Sequence, residues 1–136
     1  MNDDDPIALG LPHREPFVFV DRLVARTEGV SAEGVKTFPA ATPFFAGHFP
    51  NAPLVPGVIL AEALAQTAGL AVGEPGKSFR LTAIKTMKFP AAAGPDESIR
   101  LQAQKVAVVG GLWQFDVWAS VGDRTVAEGV IVLSEV

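Results

Sequence analysis

Between Val58 and Val72 nearly every position is apolar, and the run contains one carboxylate, Glu62. An all-round apolar pattern of this length predicts a helix enclosed by protein, unlike an amphipathic helix with one wet face. Pro56 stands just ahead of it, where a missing N–H costs least. Gly73 and the breaker Glu74-Pro75-Gly76 predict its end. Upstream, Phe17 to Val24 and Val30 to Phe38 flank the turn Glu28-Gly29 and predict a first strand pair. Downstream, four strands are predicted at Phe79 to Phe89, Ser98 to Val108, Leu112 to Val121 and Thr125 to Leu133. Their joints, Ala93-Gly94-Pro95-Asp96, Gly110-Gly111 and Gly122-Asp123, carry turn chemistry. Ile99, Leu101 and Ala103 alternate with Arg100, Gln102 and Gln104, and a similar alternation runs from Trp113 to Val121. That period of two marks antiparallel strands with one face turned to solvent. Trp118 breaks it, falling among the polar positions. The stretch Pro39 to Pro56 holds five prolines and predicts an ordered loop.

Two strands, one very apolar helix and four strands make an α+β chain. The helix can be buried if a strongly curved antiparallel sheet wraps around it, with the remaining sheet edge paired to a second copy. With 136 residues the chain predicts a single domain over 11–136, after an acidic flexible tail over 1–10 that offers nothing to bury. An apolar fraction of 49% is high for this size, so the excess apolar surface is expected to meet another subunit. No apolar run is long enough to span a membrane. The absence of cysteine excludes disulfides, thiolate metal sites and a cysteine nucleophile. No hydrophobic signal region follows the acidic N-terminus, which predicts a cytoplasmic location. The net charge of −4 argues against nucleic-acid binding. From Lys77 to Lys105, however, Lys77, Arg80, Lys85, Lys88, Arg100 and Lys105 outnumber Asp96 and Glu97. An acidic partner can be steered to such a segment. Solvated charges on strand faces account for it equally well.

Against that background Glu62 is the first chemical candidate. An ionisable group inside an apolar helix costs roughly several kcal/mol unless it is paired or kept neutral. Gln66 lies one helical turn later, where its amide can orient the carboxyl group or serve a buried structural hydrogen bond. Gly57 permits either a tight turn after Pro56 or a close approach of substrate.

Three motifs then carry a resemblance. They are Leu11-Pro12-His13-Arg14-Glu15-Pro16-Phe17 with Val20-Asp21-Arg22, Pro43-Phe44-Phe45-Ala46-Gly47-His48-Phe49-Pro50, and Pro56-Gly57-Val58-Ile59-Leu60-Ala61-Glu62-Ala63-Leu64-Ala65-Gln66. In their order and spacing, from Leu11 to Leu133, the chain resembles the FabZ-type (3R)-hydroxyacyl-[acyl carrier protein] dehydratases. The resemblance implies a hot-dog fold and elimination of water from a 3-hydroxyacyl thioester, in fatty-acid or related acyl-chain synthesis. It implies no metal and no cofactor beyond the phosphopantetheine arm that carries the substrate on acyl carrier protein. It makes His48 the base that takes the C2 proton and Glu62 the acid or water-orienting group at the C3 hydroxyl. The backbone N–H of Gly57 would meet the enolate charge, with Val58, Phe49 and Gln66 lining the substrate site. Lys85, Lys88 and Arg100 would dock the carrier protein. The family's site is assembled across a homodimer, and assembly of dimers into hexamers is left open. Phe44, Phe45, Phe49, Phe89 and Trp118 are candidate tunnel or interface aromatics, and His13 and Arg14 take a structural or entrance role. The chain departs from the pattern at Asn51, where the family usually has Gly, at Leu54-Val55, and in having no Tyr. Asn51 is expected to keep the turn by tolerating a left-handed backbone. A catalytically silent hot-dog subunit that docks carrier protein and a hot-dog thioesterase are the competing readings. An isomerising dehydratase ranks lower, because those relatives carry Asp where this chain has Glu62.

Overall fold

The computed structural model describes residues 5–73 and 77–136. Six strands, β1 (Arg22–Thr27), β2 (Ser31–Thr37), β3 (Phe79–Lys88), β4 (Ser98–Val109), β5 (Leu112–Val121) and β6 (Arg124–Glu135), form one antiparallel sheet in the order β1-β2-β4-β5-β6-β3. The helix α1 (Gly57–Val72) packs against β2 through β6, which curl around it. Its Leu60, Ala63, Leu64, Ala68, Leu70 and Ala71 are buried with Ile99, Leu101, Phe115, Val117, Ile131 and Leu133 of the sheet. The alternation expected in β4 and β5 is therefore the inward and outward period of a sheet with one covered face. The turns at Gly110-Gly111 and Gly122-Asp123 are two-residue hairpin connections, with positive φ at Gly110 (62°) and Gly122 (57°).

Three expectations are corrected. The first strand begins at Arg22, not Phe17. The N–H of Phe19 donates to the side-chain oxygen of Gln66 (2.8 Å), and ladder pairing begins only where Asp21 donates to the Val35 carbonyl (2.8 Å). The supposed tail is structured from residue 5: Leu9 and Leu11 donate to the Asp5 and Pro6 carbonyls (both 3.0 Å), and Pro6 is buried. Residues 1–4 lie outside the described residues, as does the breaker at 74–76. Within the proline-rich loop, Pro43–Ala46 is a short 3-10 turn that buries Phe45.

Polar contacts close both ends of the helix region. Arg26 donates to the Leu70 carbonyl (2.8 Å) and the Gly73 carbonyl (2.6 Å), satisfying acceptors at the helix C-terminus where a cation is favoured by the dipole. Ahead of the N-terminus, the Val55 N–H donates to Ala93 (2.8 Å), which ties the helix start to the loop between β3 and β4. That loop is braced by Glu97, which accepts both Arg124 contacts at 2.8 Å and the Gly94 N–H at 2.7 Å. The Arg124 guanidinium, and then the Gly94 N–H, hold the Glu97 carboxyl below the usual carboxylate range. A lowered folded value means that the ionised form supports the fold at neutral pH, and that this support is lost as pH falls through that value. Glu97→Gln keeps an acceptor for Gly94 and loses the ion pair. It is expected to cost no more than about 1 kcal/mol at neutral pH, because the pair is partly exposed. Urea unfolding at several pH values checks this: the gap from the wild type should be full above the ordinary glutamate value of about 4.3 and close as the pH drops below it.

Candidate active site

Glu62 does not sit inside an apolar shell. While its neighbours Ala61 and Ala63 are buried, its side chain keeps 21% exposure on the wall of a cavity of about 370 Å³. The cavity runs along one face of α1 past Gln66 and Gly69 and is lined across from the helix by His13, Phe79 and Leu133. Gln66 is 2% exposed, and its carboxamide has one possible orientation. Its oxygen accepts the Phe19 N–H (2.8 Å), so its nitrogen must donate, to the Phe17 carbonyl (3.0 Å) and to Glu62 Oε2 (3.1 Å). Gln66 thus bonds the Glu62 carboxyl group and the backbone ahead of β1 at the same time. His13 Nε2 lies 3.5 Å from the same Glu62 oxygen. This proximity was missed in the sequence, where His13 and Glu62 are far apart and only the Leu11 to Phe17 motif singles the histidine out.

His48 stands apart, in the loop ahead of α1. Its Nδ1 lies 3.3 Å from the Leu54 carbonyl, its ring stacks on Phe49 (centroids 4.2 Å apart, planes at 23°), and the His48–Phe49 peptide is cis. A carbonyl oxygen only accepts, so the Nδ1 contact is a hydrogen bond when the proton is on Nδ1, which leaves the Nε2 lone pair free to act as a base. Among the described residues no hydrogen bond or ion pair joins His48 to Glu62 within the chain. The turn that follows is closed by reciprocal bonds between Phe49 and Ala52 (3.3 and 3.0 Å) and by Leu54 donating to His48 (2.9 Å). Asn51 takes no left-handed conformation there; Asp96 is the described non-glycine residue with positive φ.

Helix α1 begins at Gly57, and no described hydrogen bond uses the N–H of Gly57 or Val58, so both stay available at the positive end of the helix. A Cβ at position 57 would meet the ring of Phe89 at 2.9 to 3.1 Å, so glycine lets that ring pack against the start of the helix. Val58 is 76% exposed beside it, and Phe49 and Phe89 are about half exposed. Phe45 is buried and Phe44 packs against the core, in a line of ring contacts through Phe38 and Phe19 to Phe17 and His13. Both pack against the core within the chain. Trp118 is on the outer face of the sheet as its polar surroundings predicted, opposite Gln102 and Glu128.

The basic trio is not one patch. Lys85 and Lys88 lie on the edge strand β3, where Lys85 donates to Gln114 (2.7 Å) and Lys88 pairs across from Glu128. Arg100 is on β4, with β5 and β6 intervening, and faces Glu33 (3.4 Å).

An antiparallel sheet curled around one apolar helix defines a hot-dog protein. Among solved structures, the dehydratase heterocomplex ApeI:P from Xenorhabdus doucetiae shares this fold: TM-score 0.82 and 16% identity, covering 96% of this chain and 91% of that one. The FabA-like domain family matches residues 11–130. The 3-hydroxyacyl-[acyl-carrier-protein] dehydratase FabZ of Paracidovorax citrulli is 39% identical over 139 residues, 97% of this chain and 95% of the relative. That of Rhodospirillum rubrum is 39% identical over 124 residues, 87% and 78% of the two chains. The chain belongs to the FabZ dehydratase family.

Proposed function

We propose that the protein is a hydro-lyase that converts a (3R)-hydroxyacyl group on acyl carrier protein to the trans-2-enoyl group, in fatty-acid or related acyl-chain synthesis. The observation that carries this reading is Glu62, held through Oε2 by Gln66 on the wall of the cavity. In the forward direction His48 Nε2 takes the C2 proton and electron density moves onto the thioester oxygen, where the Gly57 N–H donates to it. As the C2–C3 double bond forms, the C3–O bond breaks and Glu62 gives its proton to the departing hydroxyl, which leaves as water. Val58 and Phe49 border the entrance, and the phosphopantetheine arm belongs to the substrate. No step draws on a metal or on a bound cofactor.

The separation of His48 from Glu62 within one chain supports a site completed by a second copy, His48 of one protomer facing Glu62 of the other. The unpaired edge of β3 and exposed Val58, Phe49, Ile84 and Phe89 supply surface for such a homodimer. A cytoplasmic location goes with this reading; no described helix is long and apolar enough to cross a membrane. The test is hydration of a crotonyl thioester by the purified protein, followed as loss of enone absorbance. No turnover with either a carrier-linked or a small thioester would overturn the proposal, and release of free thiol would identify a thioesterase instead.

The split of the basic trio sharpens the docking expectation. Lys85→Glu and Lys88→Glu should each raise KM for carrier-linked substrate by about tenfold and leave small-thioester turnover unchanged, since charges at the edge of a contact act mainly on encounter. Arg100→Glu should leave KM for carrier-linked substrate within about twofold. Parallel steady-state assays on the two substrates check both statements.

A further inference from the structure

His13 carries chemistry that a structural or entrance role does not explain. Its Nε2 lies 3.5 Å from Glu62 Oε2, slightly longer than a hydrogen bond. Its ring lies over Phe17 (centroids 5.9 Å apart, planes at 23°), whose carbonyl is held by the same Gln66 amide that holds Glu62. Its Nδ1 is buried and has no hydrogen-bond partner. A proton on Nδ1 would be a buried donor with nothing to receive it. The neutral tautomer with its proton on Nε2 leaves Nδ1 as an unpartnered acceptor, the less costly orphan, and places an N–H 3.5 Å from a Glu62 oxygen.

We propose that His13 is a positioning residue for Glu62, closing with Gln66 on Oε2 so that Oε1 is the oxygen presented to the leaving hydroxyl. One donor fixes the position of Oε2 and leaves the carboxyl plane free to turn about that contact; a second, from another direction, fixes the plane. With both donors on Oε2, a proton carried by Glu62 must sit on Oε1. No described residue bonds Oε1, and the carboxyl group lines the cavity. The carboxyl group is thus divided into an oxygen held by the protein and an oxygen that works on substrate. This inference rests on the dehydratase reading for its kinetic consequence but not for its geometry.

The experiment has two arms. In ¹⁵N NMR of the imidazoles, the neutral form of wild-type His13 should be the Nε2–H tautomer, and Glu62→Ala should move its Nε2 resonance. In steady-state assays, His13→Ala should lower kcat by about 10- to 100-fold with KM for carrier-linked substrate within about threefold, because misplacement of a reacting group costs rate more than binding. His13→Gln keeps an N–H donor at a similar reach and should recover most of the lost kcat. The proposal is overturned by an Nδ1–H tautomer, by a His13 signal indifferent to Glu62, by unchanged kcat in His13→Ala, or by equal loss in His13→Gln. Should the wild type lack dehydratase activity altogether, the kinetic arm falls with the functional reading and the NMR arm still decides the geometry.

Discussion

Glu62→Gln is expected to leave the fold intact and to lower kcat for dehydration by about a hundred- to ten-thousand-fold. The reason lies in Gln66, whose amide cannot flip without losing both the Phe19 N–H and the Phe17 carbonyl. A glutamine at 62 must therefore turn its carbonyl oxygen toward Gln66, leaving its NH₂ toward the cavity. That group can donate a hydrogen bond to the leaving oxygen but cannot transfer a proton to it. Since every hydrogen bond within the protein is kept, the urea midpoint should shift by less than about 0.5 kcal/mol in stability, which separates chemistry from folding. His48→Ala should reduce kcat by a similar factor, because Nδ1 is tied to Leu54 and Nε2 has no substitute nearby. Mixing the two inactive variants tests the shared site. If His48 and Glu62 come from different protomers, half of the mixed dimers' sites lack both groups and the other half regain both, so activity returns on subunit exchange. Near wild-type rates in either variant would remove that residue from the mechanism.

Legibility in the sequence followed the range of the interactions involved. The helix and the four later strands were readable because their burial pattern is local: Ile99, Leu101 and Ala103 face inward in the phase that their alternation announces. The two-residue hairpins were readable because Gly110 and Gly122 must take positive φ. Phe17 to Val20 misled for the same reason. Their composition is that of a strand, yet Phe19 finds its acceptor on a side chain from the helix. At the site, Glu62 and Gln66 were legible as an i, i+4 pair, while the cavity that exposes Glu62 depends on the small side chains and the distant strands around it. His13 was not legible as its neighbour, because nothing local links an N-terminal loop to the second turn of α1. The basic residues looked like one segment along the chain, but strand order separates Arg100 from Lys85 and Lys88.

Gly129→Val should produce the largest loss of stability, at least about 3 kcal/mol, together with loss of activity although neither His48 nor Glu62 is touched. Gly129 pairs with Met87 where β6 meets the edge strand β3, next to an irregularity in register between Ile84 and Thr86. There the strands approach so closely that a Cβ would fall on the Thr86 carbonyl oxygen and within 2.9 Å of Met87 Cα. Backbone atoms cannot rotate aside as a side-chain tip can, so the side chain of valine must push β3 off the sheet. That uncovers Ile131 and Leu133, both at most 1% exposed, and breaks the strand whose free edge is proposed to pair with a second copy. The expected result is a lower urea midpoint and a shift from dimer to monomer in sedimentation. Gly111→Ala is the matched control, since a Cβ there has nothing within 4 Å and the turn keeps its left-handed residue at Gly110. Its stability should stay within about 0.5 kcal/mol of the wild type. A Gly129→Val protein that remains dimeric and fully active would show that β3 tolerates displacement, and would remove this edge from the account of how the site is completed.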